Sequence, residues 1–104
     1  MTPNFGTLSG VVGNVEFDWD EGNIGHIARH EVTPAEAEQA LGNDPLDLDA
    51  DTVDGEERFM SLGVTNRGRL LLVATTMRGV RIRVVTAYVA GRNLAILYMK
   101  ARMV

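Results

Sequence analysis

Cysteine is absent from the 104 residues, which excludes disulfides, thiolate metal ligands and cysteine nucleophiles. No Lys or Arg precedes Arg29, so no basic stretch leads into an apolar one and a secretion signal is not expected. The longest aliphatic run, Leu70 to Ala74, falls far short of the roughly 20 residues a membrane-spanning helix needs. The two serines, Ser9 and Ser61, both lack the Gly-x-Ser-x-Gly surroundings of a hydrolase nucleophile. There is no Gly-x-Gly-x-x-Gly at a helix start and no Gly-Lys-Ser/Thr, so no nucleotide cofactor is expected. A single domain over residues 1–104, in the cytoplasm and away from membranes, is the expectation.

What the chain has is a lopsided charge. Fourteen acids and one base up to Glu57 give −13, and nine bases with no acid beyond it give +9. Nine of the ten bases are arginine, whose planar fork grips phosphate with two parallel hydrogen bonds. Such a split points either to a face that meets polyanions or to acids and arginines that pair with each other on folding.

Residues 1–13 mix glycine, proline and small polar residues and read as an extension or short irregular strand. Asn14 to Trp19 alternates Val15, Phe17 and Trp19 with acids, the period of a half-buried strand, with Trp19 in the core. A first helix is predicted from an Asp20 cap through His30, burying Ile24, Ile27 and Ala28. Thr33-Pro34-Ala35-Glu36 is a capping box with proline in the first turn, and Gly42-Asn43-Asp44-Pro45 stops the helix it starts. Asp44 to Glu57 reads as a short edge strand and acidic loop. Three strands follow, roughly Glu57–Thr65, Arg69–Thr76 and Val80–Tyr88, with turns at Asn66-Arg67-Gly68 and Met77-Arg78-Gly79. In the last of them Arg81 and Arg83 share one face, and strict alternation places Thr86 on the other. Leu94, Leu97, Tyr98 and Ala101 then repeat with the period of an amphipathic terminal helix. The fold class is therefore α+β: an antiparallel meander of three to four strands with two helices before it and one after.

His26 and His30 stand four residues apart, a spacing that suits a shared metal, but no HExxH glutamate accompanies them and no metal is expected. Acid–base work by His30, with Arg29 beside it to hold a phosphate, is the sharper reading. Cleaving RNA without a metal requires a base for the 2′-hydroxyl, cations for the phosphorane and an acid for the leaving oxygen. Histidine and arginine supply all three.

The strings Glu16-Phe17-Asp18-Trp19-Asp20-Glu21-Gly22-Asn23 and His26-Ile27-Ala28-Arg29-His30-Glu31-Val32-Thr33-Pro34 resemble the opening of BrnT-type ribonuclease toxins, RelE-like proteins of bacterial type II toxin–antitoxin modules. The likeness continues through Asp44-Pro45-Leu46, Glu56-Glu57-Arg58-Phe59, Gly68-Arg69, Arg78-Gly79 and Arg81-Ile82-Arg83-Val84-Val85-Thr86-Ala87, covering Glu16 to Tyr98 and leaving residues 1–13 outside. The resemblance implies a RelE-like fold and cleavage of RNA that slows translation. It also implies a DNA-binding antitoxin encoded nearby, in a heterotetramer or beside a toxin homodimer. It places catalytic roles on His30, Arg58 and Arg83, and RNA or phosphate binding on Arg29, Arg69, Arg81, Thr86 and Arg92.

The chain departs from the family pattern after the last strand. Tyr88 stands where an arginine is usual, Leu94 where a glutamate is usual, and Asn93 replaces a base while Arg92 is kept. Two other readings follow: a catalytically weakened member that binds antitoxin as a regulatory module, and a basic half that only binds RNA.

Overall fold

The structure, a computed structural model, describes residues 11–12 and 15–103. The extension expected over residues 1–13 therefore lies outside the described residues, except for Val11 and Val12. These form β1 (Val11–Val12), which pairs with β2 (Val15–Glu16). Two helices follow, α1 (Glu21–Ala28) and α2 (Pro34–Gly42). The main sheet is an antiparallel meander of β3 (Leu46–Val53), β4 (Glu56–Val64), β5 (Leu70–Arg78) and β6 (Arg81–Val89), and α3 (Arg92–Arg102) closes the order. This is the α+β arrangement the sequence leads one to expect, with the acidic segment contributing a full eight-residue edge strand.

The turns follow from residue chemistry. Asp54 and Gly55 both have positive φ, 52° and 79°, as a two-residue turn between right-twisted strands demands. β5 runs on through Arg78, which lies opposite Arg81, so the second tight turn is Gly79-Val80 rather than Met77-Arg78-Gly79.

One face of the sheet carries the core. Leu71 and Val73 of β5 and Val84 and Ala87 of β6 pack against Ile27, Val32, Ala37 and Ala40, with Phe17 below. Phe17 forms a parallel bridge to Ile82, and Asp18 N donates to the Ile82 carbonyl at 2.8 Å, so the chain entering α1 runs along the outer edge of β6. The half-buried strand expected over Asn14–Trp19 is thus reduced to Val15–Glu16 and this bridge. Trp19 packs against the core only partly buried, with Nε1 donating to Glu38 at 2.8 Å.

The first helix differs from its simplest amphipathic reading. In α1 the buried residues are Asn23 and Ile27, while Ile24 and Ala28 are exposed. Asn23 Nδ2 donates to the carbonyls of Asp18 and Val84 at 2.9 and 3.1 Å, and that need to satisfy an edge strand's backbone turns the Asn23 face inward. α1 also ends at Ala28: Arg29 is the C-cap and Glu31 adopts φ 60°, so His30 lies just beyond the helix. α2 sits close to β4 at Gly63, where a Cβ would collide with the Ala40 carbonyl.

The second face is covered only in part. Leu46, Leu62, Leu72 and Tyr88 are successive partners across all four strands. α3 leaves the end of β6, and Arg102 in its last turn reaches Asp44 just before β3. Leu94, Ala95 and Tyr98 are half-buried, Leu97 and Ala101 are exposed, and no described residue of α3 is fully buried. No described helix is long and apolar enough to cross a membrane.

Candidate active site

A β-bulge builds the site. Ala74 pairs with Thr86, but Thr75 pairs with Val84, so Val85 is an extra residue in β6. A bulge reverses the alternation beyond it. Val84 and Ala87 therefore both point into the core, and Thr86 joins Arg83 on the opposite face, contrary to the strict alternation read from the sequence.

On that face a cavity of about 400 Å³ is lined by Gly22, Asn23 and His26 of α1, Glu56 and Arg58 of β4, Arg78 of β5, and Arg83, Val85 and Thr86 of β6. His26 Nε2 lies 3.1 Å from Thr86 Oγ1, within hydrogen-bond reach across α1 and β6. Arg83 is the least exposed of the paired arginines here. Its Nη1 and Nη2 donate to the two carboxylate oxygens of Asp20 at 2.9 and 3.1 Å, and Nη1 also reaches Asp18 at 3.4 Å. Arg58 and Arg78 share Glu56, one on each carboxylate oxygen, at 3.3 and 3.5 Å. Arg58 Nε is buried with no hydrogen-bond partner among the described residues.

The hydrogen bond from Arg83 holds the Asp20 carboxyl at about 2, helped by the backbone N–H of Asn23. Asp20 in turn raises Arg83. Three guanidinium ions thus meet three carboxylates, Glu56, Asp18 and Asp20, around one opening, and both sides of the charge split read from the sequence converge here.

Of the residues singled out in the sequence, Arg58, Arg83 and Thr86 line this cavity together. His30 stands next to it: its ring centroid is 5.5 Å from that of His26 and 5.9 Å from that of Tyr88. Arg29 is exposed at the C-cap of α1, Arg81 pairs with Glu16 on the outer edge, and Arg92 is exposed at the start of α3. Arg69 lies at the other end of β5, bonded to Glu36 Oε2 at 2.6 Å and to the Glu31 carbonyl at 3.0 Å. The sequence does not single out His26, Arg78 or Glu56 as lining residues, nor Asp20 as the partner of Arg83. The signal for His26 was its helical position three after Asn23, legible only once Asn23 is known to face β6. Among the described residues no group of three or more His, Asp or Glu is placed to hold a metal.

Comparison with curated proteins finds no match. A family model, that of the ribonuclease toxin BrnT of type II toxin–antitoxin systems, matches residues 19–93, a span that holds every residue lining the cavity. By that match over well more than half its length, the chain belongs to the BrnT family of ribonuclease toxins, whose systems pair each toxin with an antitoxin.

Proposed function

We propose that the cavity between α1 and β6 binds an RNA phosphate and cleaves the chain beside it without a metal, slowing translation in the cytoplasm until an antitoxin covers the arginine-bearing face. The observation that supports this best is the convergence of Arg58, Arg78, Arg83, His26 and Thr86 from four separate elements on one opening. In the proposed step a histidine takes the proton of the 2′-hydroxyl as O2′ attacks phosphorus. The P–O5′ bond breaks, a protonated histidine returns a proton to O5′, and a 2′,3′-cyclic phosphate remains. His26, on the cavity wall, is the nearer group for the first transfer. His30 is beside it for the second. Arg58 and Arg83 stabilise the charge that develops on the phosphorane, each such donor being worth about 3–4 kcal/mol in the transition state.

Purified protein incubated with single-stranded RNA in EDTA should yield cyclic-phosphate ends, and Arg83→Ala should lower the rate about 100-fold or more. Full cleavage by both His26→Ala and Arg83→Ala would remove the site assignment. Expression should arrest growth, and co-expression of the neighbouring reading frame should restore it.

A second reading, an antitoxin-binding module with weakened catalysis, is favoured by one observation: each guanidinium on the cavity wall already has a carboxylate partner. On that reading antitoxin binds tightly and RNA is left intact. Tyr88→Arg, which adds an unmatched cation beside His30, then restores cleavage.

A further inference from the structure

We propose that Asp20 is a positioning residue for this site, coupling the start of α1 to the orientation of the Arg83 guanidinium through one carboxylate; the inference rests on the cleavage reading above. The carboxylate does two jobs at once. Its Oδ1 accepts from the backbone N–H groups of Gly22 and Asn23 at 2.9 and 3.2 Å, closing the first turn of the helix. The same oxygen and its twin accept from Nη2 and Nη1 of Arg83, 63 residues away in sequence. Asn23 completes the frame by accepting from Asp20 N at 2.8 Å while donating to the Val84 carbonyl next to Arg83.

A carboxylate fixed by two helix N–H groups cannot swing with the arginine, so the arginine must conform to it. The paired arrangement is planar and two-pronged, which sets both the distance and the plane of the guanidinium. The two members are unequally exposed: the Arg83 side chain is 16% exposed and that of Asp20 56%. The cation is thus inner, against the cavity, and the anion outer, behind it. Gly22 belongs to the same device. A Cβ there would come within 3.1 Å of Asp20 Oδ1, close enough to press on the carboxylate, and into ordinary contact with Arg83 Nη2 at 3.8 Å. Among the described residues Arg83 keeps its Nε–H and one Nη2–H beyond these bonds, enough to meet a phosphate oxygen from a fixed direction.

The cap and the clamp separate by substitution. Asparagine and serine both cap helices about as well as aspartate. Asp20→Asn removes the charge and turns one of the two acceptors facing Arg83 into a donor, leaving a single bond to the guanidinium, and Asp20→Ser removes the reach to Arg83 altogether. The full chain should therefore melt within about 4 °C of wild type as Asp20→Asn or Asp20→Ser. Cleavage of an RNA oligonucleotide should fall about 100-fold in kcat for Asp20→Ser and less for Asp20→Asn, with KM changed by less than about threefold, the pattern of a misdirected rather than a missing group. Nitrogen-15 spectra of the arginine side chains give a readout independent of activity: restrained Nη protons of Arg83 in wild type should merge into the averaged signal in Asp20→Ser. Unchanged or faster cleavage in Asp20→Ser, with wild type active, overturns the proposal. So does an unaltered Arg83 spectrum. Should wild type leave RNA intact, the cleavage reading falls while the spectra still decide whether Asp20 fixes Arg83. Should Asp20→Ser fail to fold, Asp20→Asn carries both measurements.

Discussion

The two N-terminal helices begin alike and end up with different duties. Each opens on a capping box, Asp20 with Asn23 in α1 and Thr33 with Glu36 in α2. In each a capping carboxylate is clasped by an arginine, Arg83 of β6 for Asp20 and Arg69, just before β5, for Glu36. In α2 the arginine also bonds the Glu31 carbonyl and closes the gap between the helices. In α1 it borders an open cavity. Their seats differ too: α2 rests on backbone at Gly63, whereas α1 hangs from the edge of β6 by the amide of Asn23. One local motif thus serves as a lock where it is closed over and as a mount where the sheet is left bare.

Breaking the seats should separate the helices most sharply. Gly63→Ala drives a methyl into the Ala40 carbonyl and should cost about 3 kcal/mol, read as a fall in the urea midpoint that takes the whole fold with it. Asn23→Ala leaves the Asp18 and Val84 carbonyls without their donor and should cost about 2 kcal/mol, while hydrogen exchange speeds up in α1 and stays slow in α2. Arg69→Ala should cost about 1 kcal/mol and leave any RNA cleavage untouched, the reverse of what Arg83→Ala is expected to do.

Acid should distinguish the helices further. Hydrogen bonds from Arg83 and the helix backbone hold Asp20 at about 2, below its unfolded value, so its contribution is full above about pH 4 and is lost as the pH falls toward 2. Glu36 is pushed up by burial but pulled lower on balance by Arg69 and Thr33, and acts in the same sense. Glu38 on α2 is the opposite case: burial raises it despite the bond from Trp19, so its contribution is present at low pH and lost as the pH rises through that raised value. Glu38→Gln keeps an acceptor for Trp19 and should raise the neutral-pH melting temperature slightly, the smallest effect of the set.

The meander, the capping box at Thr33 and the Asp20 cap were legible because each rests on neighbours in sequence: alternation, a box of four residues, a turn glycine. The family likeness was legible for the same reason, as ordered short strings. The site was legible in its arginines and only half so in its histidines. Thr86 reaches the cavity because of one unpaired residue, Val85, and nothing local distinguishes a bulged strand from a regular one. His26 rather than His30 lines the cavity because a buried Asn23 takes the inner face of α1 ahead of Ile24, a preference set in part by the Val84 carbonyl 61 residues downstream. The pairing of acids with arginines is likewise long-range, joining Glu16 to Arg81 and Asp18 and Asp20 to Arg83.

Those long-range pairs bear on timing. Everything that orients Arg83 is translated first, and Arg83 with Thr86 emerges some sixty residues later. Chains grow at roughly 5–20 residues per second and contacts of high sequence separation form late. A nascent chain therefore carries the capping residues of α1 for several seconds with neither the β6 edge that seats the helix nor the site, and a chain cut short before β6 lacks both the arginine and the threonine. The cavity is complete only in a finished molecule, so an antitoxin made alongside has the length of that delay in which to be waiting.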